Sequence, residues 1–117
     1  QYVTATNGHK VAGATLFTFG VDPHTLVSSK KVIHAMQQKH LETNGYALYA
    51  YAAVQVISKT IEETNSTDGK ILANYLHHNE IETVLGKKSW DTNGDISDAN
   101  FNIYAWNNHS ELTLINK

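Results

Sequence analysis

The 117 residues are 41% hydrophobic and 17% charged, and nine lysines against eleven acidic side chains give a formal charge of −2. A chain of this length buries roughly 65% of its unfolded surface, which suits one globular domain or part of a larger protein. Cysteine is absent, which excludes disulfide scaffolds, zinc–thiolate sites and thiol nucleophiles; arginine is absent too, and with no basic stripe the chain does not fit nucleic-acid binding.

Residues 11 to 19 alternate Val11, Gly13, Thr15, Phe17 and Phe19 with Ala12, Ala14, Leu16 and Thr18, the period of a strand. Gly20 and the Asp22-Pro23 pair end it. From Leu26 to Lys39, the apolar positions Leu26, Val32, Ile33 and Met36 recur at helical spacing. Asn44-Gly45 marks a boundary, with Asn44 suited to cap the next helix. Residues 45 to 64 predict the strongest helix, with Tyr46, Ala50, Ala53, Ile57 and Ile61 on one stripe and Gln55, Lys59, Glu62 and Glu63 away from it. Nothing is charged between Tyr46 and Val54, so this half is expected to be covered on more than one side.

Asn65-Ser66-Thr67 stops that helix, and Ser66 or Thr67 is expected to cap a third over 68–78, with Asp68 in its first turn. Its predicted buried face is Ile71, Leu72, Tyr75 and Leu76. Residues 83–86 and 88–90 read as a short extended segment, and Asn93-Gly94 as a two-residue hairpin turn. Phe101, Ile103 and Ala105 alternate with Asn102, Tyr104 and Trp106; residues 107–110 turn the chain, and Leu112 and Leu114 continue as a last strand. The resulting order is α/β: a strand, three helices, then a β-meander. A crossover wants a parallel strand after each helix, so three helices behind one strand imply strands that these residues do not supply. The longest apolar run, Tyr46 to Val54, is far short of the ~20 residues of a bilayer span. The first ten residues have neither the basic nor the apolar region of a secretion signal.

Few constellations carry chemistry. Asp91-Thr92-Asn93-Gly94-Asp95 has Gly at its fourth position and Asn102 at its twelfth, against the sixth-position Gly and twelfth-position Glu of an EF-hand, so a polar turn is expected. His77 and His78 are adjacent and diverge on a helix, and no histidine has metal-ligand spacing, so no metal is expected. Ser28, Ser29 and His34 lack any nucleophile motif and no loop has a phosphate-cradling pattern, so neither catalytic residues nor a cofactor is expected. Asn65-Ser66-Thr67 and Asn108-His109-Ser110 match the glycosylation sequon. Tyr46, Tyr49 and Tyr51 open the apolar helix. A tyrosine there offers a ring to an apolar ligand group and a hydroxyl to a polar one, with core packing as the competing role.

The stretch from Gly45 to Gln55, G-Y-A-L-Y-A-Y-A-A-V-Q, resembles the G-Y-x-x-x-x-Y-A-A-V-Q helix of branched-chain amino-acid (Leu/Ile/Val) solute-binding proteins of bacterial ABC importers. Val11-Ala-Gly-Ala-Thr-Leu16 resembles their V-x-G strand, Asp22-Pro23 their D-P loop, and Thr83-Val84-Leu85-Gly86 their T-V-[IL]-G. Trp90-Asp91-x-x-Gly94-Asp95 resembles their [FW]-D-x-x-G-D hairpin, and Ile103-Tyr104-Ala105-Trp106 their closing strand, while Lys87 stands where proline is usual. The resemblance implies the C-terminal third of a two-lobe type I periplasmic-binding-protein fold. Residues 1–89 would then be part of the first lobe, and residues 90–117 the return to the second. Tyr46 takes the position that lines the amino-acid side-chain pocket. The resemblance further implies a periplasmic, non-enzymatic protein with its signal peptide upstream. Its partners would be a branched-chain amino acid and the importer's membrane subunits. As a fragment, the chain is expected to bind ligand poorly and to self-associate. A ligand-sensing receptor domain of the same fold and a stand-alone interaction domain are the alternatives.

Overall fold

The computed structural model describes residues 16–99, 101–106 and 112–115. Along the chain run β1 (Leu16–Gly20), two 3-10 turns (Pro23–Thr25 and Val27–Ser29), α1 (Lys30–Gln38), α2 (Gly45–Thr64), α3 (Gly69–His78), β2 (Ile81–Thr83), β3 (Gly86–Lys88), β4 (Phe101–Trp106) and β5 (Leu112–Leu114). This is the expected order of a strand, three helices and then strands. Residues 11–15 of the expected first strand lie outside the described residues. Two compact units result, one formed by β1, β4 and β5 and the other by residues 22–99.

The first unit is an antiparallel sheet in the order β1-β4-β5. Leu16 pairs with Ala105 and Gly20 with Phe101, while Tyr104 faces Leu114. The alternation read at 101–106 is thus a strand held on both sides. Because β1 pairs with β4, residues 16–20 share a sheet with the chain beyond residue 89.

In the second unit, β2 and β3 form a hairpin in which Ile81 meets Lys88 and Thr83 meets Gly86. This corrects the expected extended segment over 83–90. Its turn residues, Val84 and Leu85, are apolar and give no polar turn signal; the turn chemistry comes from their neighbours. Gly86 takes φ +82°, which glycine adopts without a Cβ clash. The Thr83 hydroxyl accepts from Leu85 N at 3.0 Å and donates to Gly86 O at 2.7 Å.

Val84 at the hairpin tip is buried with Leu48 and Ala52 of α2, and Val32, Ile33, Met36 and Leu85 pack around them. Both backbone groups of Val84 are matched by side chains. Gln55 Oε1 accepts its N–H at 2.8 Å, and Ser28 Oγ donates to its carbonyl at 2.9 Å. Ser29, fully buried, donates to the carbonyls of Pro23 and Leu26. Leu26 is extended, at φ −87° and ψ 136°, so α1 begins at Lys30 rather than at Leu26 as its spacing suggested.

The bounds of α2 match the expectation, and Asn44 Oδ1 accepts from Ala47 N at 3.0 Å as its cap. Asn65 ends it at φ +47°, a left-handed position that asparagine tolerates. The buried side differs from the expected stripe. Leu48, Ala52 and Thr60 are buried, whereas Tyr46, Ala50, Ala53 and Ile57 are exposed and Ile61 is half-buried. The stripe read from sequence is therefore the opposite apolar face of a helix that has two. In α3, Asp68 is itself the cap, accepting from Lys70 N and Ile71 N at 2.8 and 3.3 Å, while Ser66 Oγ accepts from Asp68 N. Leu72, Tyr75 and Leu76 are half-buried and Ile71 is exposed.

The Asn93-Gly94 turn forms, but not as a two-residue hairpin. Of the pair only Gly94 has positive φ, at +88°. The Asp91 carboxylate accepts from the backbone N–H of Asn93 and of Asp95 at 2.8 and 2.9 Å, which builds a wider loop closed by one Trp90–Ile96 bridge.

Replacing Gln55 with leucine leaves the buried Val84 N–H without its acceptor and is expected to cost about 1–3 kcal/mol. Exposed Lys59→Ala is expected to stay within about 0.5 kcal/mol. Urea denaturation followed by circular dichroism measures both.

Candidate functional site

The candidate site is the N-terminal turn of α2 and the loop facing it. Tyr46, the second residue of the helix, is 77% exposed. Tyr49 lies about 60° from it around the helix and Tyr51 about 140° away, so the structure keeps Tyr46 and Tyr49 on one side and turns Tyr51 elsewhere. Asn44 occupies the Ala47 N–H, one of the amides that a helix start leaves without an intrahelical acceptor.

The 3-10 turn at Pro23–Thr25 lies against this helix. Asp22 caps the turn: Oδ1 accepts from His24 N at 3.0 Å and meets His24 Nδ1 at 2.9 Å. The other ring nitrogen, Nε2, meets Thr43 Oγ1 at 3.3 Å, one residue before the α2 cap. Thr25 Oγ1 donates to Asp22 O at 2.7 Å. Carboxylate, imidazole and hydroxyl thus stand in the order of a hydrolytic relay. The Asp22 and His24 side chains are about half exposed, however, and electrostatic stabilisation of a transition state needs a water-excluded setting. The local Asp-x-His part was readable as an Asx turn; the contact with Thr43, nineteen residues on, had no signal in the sequence.

Among the described residues the other histidines are dispersed. His77 Nδ1 lies 2.7 Å from Asp91 O and His78 Nδ1 2.7 Å from Asn74 O, so the adjacent pair serves two different carbonyls. His34 is exposed on α1, away from any nucleophile motif. Among the described residues no group of three histidine, aspartate or glutamate side chains could hold a metal ion, and no helix is long and apolar enough to cross a membrane.

No family model matches the chain. Individual relatives do. It is 30% identical over 106 residues to an amino acid binding protein of Pseudomonas aeruginosa, a match spanning 91% of this chain and 28% of that protein. It is 36% identical over 97 residues to Leu/Ile/Val-binding protein homolog 3 of Brucella melitensis, spanning 81% of this chain and 26% of the relative. The chain therefore spans about a quarter of the length of these relatives. In fold it overlays the crystal structure of the leucine-binding protein LivK of Thermotoga maritima with a TM-score of 0.71, over 93% of this chain and 32% of that one, at 22% identity.

Fold and relatives together define a segment of the type I periplasmic-binding-protein architecture. Within that class the chain matches a piece of the Leu/Ile/Val-binding proteins.

Removing the α2 cap tests how firmly the site is held. Asn44→Ala is expected to destabilise the protein by about 1 kcal/mol, with faster hydrogen exchange at Ala47 and the residues beside it while α3 keeps its protection.

Proposed function

We propose that this segment belongs to a protein that binds a branched-chain amino acid and delivers it to an ABC importer in the periplasm. The observation that carries the reading is the match, across four fifths or more of the chain, to an amino acid binding protein and to relatives named for binding Leu/Ile/Val. The relatives are named for binding and none for catalysis, in line with a non-enzymatic role. The importer's membrane subunits are the proposed downstream partner, and a signal peptide upstream is part of the same proposal.

Tyr46 is the proposed ligand contact. It stands exposed at the start of a well-anchored helix, with a ring to cover an aliphatic side chain. Affinity would come from two lobes closing around the ligand. We propose the division implied by the resemblance, residues 1–89 in the first lobe and 90–117 in the return segment, except that β1, which shares its sheet with β4, goes with the return segment. The remaining ligand contacts then come from outside these residues.

In the full-length protein containing this segment, Tyr46→Ala is expected to weaken leucine binding about tenfold to a hundredfold, the worth of an aromatic contact. Tyr46→Phe separates ring from hydroxyl. Calorimetry decides: an unchanged Kd in the alanine variant removes Tyr46 from the pocket. The 117-residue chain alone is expected to show no micromolar binding, and micromolar binding would overturn the claim that other segments supply the contacts.

Self-association of the isolated chain is proposed on its bare apolar surface. Val54 is 66% and Ile57 55% exposed on α2, and among the described residues β1 and β5 are the edges of their sheet. Sedimentation is expected to show a dimer that Ile57→Asp shifts toward monomer. A monomer at high concentration counts against it.

A further inference from the structure

We propose that His24 is a positioning residue: it ties the turn after β1 to the start of α2 and so sets where Tyr46 stands. The inference rests on the reading of Tyr46 as the ligand contact.

The turn is a rigid mount for the imidazole. Pro23 is buried and fixes its own φ. Asp22 O accepts from Thr25 N and Thr25 Oγ1, and Pro23 O accepts from Leu26 N and Ser29 Oγ. On this mount the ring is oriented by Asp22 Oδ1, which takes the Nδ1–H. That bond orients the ring and leaves Nε2 facing the Thr43 hydroxyl at 3.3 Å. Thr43 immediately precedes the cap Asn44 and stands three residues before Tyr46. The imidazole thereby joins two segments that meet at the helix start from different parts of the sequence. One is the turn directly after Val21, where the two compact units divide; the other is the connection from α1 to α2. A carboxylate alone could hold the turn; reaching Thr43 takes a side chain with polar atoms at both ends, which histidine has.

Two arms test the tether. In the 117-residue chain, His24→Ala and Thr43→Val are each expected to shift the backbone amide resonances of Asn44 to Ala47 while those of α3 stay in place, and the double variant to shift them no further. In the full-length protein each single variant is expected to weaken leucine binding about threefold to tenfold, the range of one hydrogen bond. The double variant should again be no worse than the singles. His24→Gln, which keeps a donor and an acceptor at the end of the chain, is expected to restore most of the affinity. Additive losses overturn the proposal, as does an unshifted helix start. If Tyr46→Ala weakens binding and His24→Ala does not, positioning by His24 is wrong. If Tyr46→Ala leaves binding unchanged, the pocket assignment is what fails, and the amide shifts still decide whether the tether exists.

Discussion

The second unit depends on the capture of one apolar turn. Val84 sits at the tip of the β2–β3 hairpin, 2% exposed, between α2 and the turn before α1. A buried hairpin tip carries peptide groups that no strand partner can satisfy, and each one left unpaired would cost more than the burial of a methyl group returns. Gln55 and Ser28 remove that cost, one at the N–H and one at the carbonyl, and so allow Val84 to complete the cluster with Leu48 and Ala52. Position 55 reads from sequence as part of the wet side of α2. Its side chain is amphipathic, and the polar end is needed inside.

That capture fixes which way α2 faces. One side is taken by the hairpin and by Val32, Ile33 and Met36 from α1. The opposite side, from Tyr46 through Ala50, Ala53 and Ile57, is exposed. A helix without charge over its first half is suited to burial on two sides, and helices in α/β architectures meet this demand by lying on a sheet. Here the sheet within the same unit is only the three-residue pairing of β2 and β3. The apolar surplus of α2 and the shortage of strands are the same fact seen from the helix and from the chain order.

Local signals were legible and long-range ones were not. The ends of α2, its Asn44 cap and the strand at 101–106 follow from spacing and capping chemistry, which act within a few residues. The hairpin at 81–88 was hidden because its turn is apolar and its stabilising hydroxyl lies at Thr83, outside the turn. The buried side of α2 was ambiguous because both sides are apolar, and only the partner Val84, twenty-nine residues beyond Gln55, breaks the tie. Asn93-Gly94 misled for another reason: the Asp91 carboxylate offers the backbone a side-chain acceptor, and a loop closed on that acceptor displaces the tight turn. At the candidate site, the position of Tyr46 in the first turn of α2 was legible from the Asn44-Gly45 boundary, and the His24–Thr43 contact was not.

The orientation of α2 also bears on the choice between packing and binding for Tyr46. Residues two apart on a helix point about 200° from one another, so burying Leu48 against Val84 turns Tyr46 away from that cluster. Its 77% exposure is the consequence. Packing of Tyr46 into the core of residues 22–99 is therefore incompatible with the packing of Leu48. A group that packs on the ring therefore has to approach from the face of α2 opposite Leu48. The buried residue anchors the helix and the exposed one presents its surface, and the fixed angle between them makes the second a result of the first.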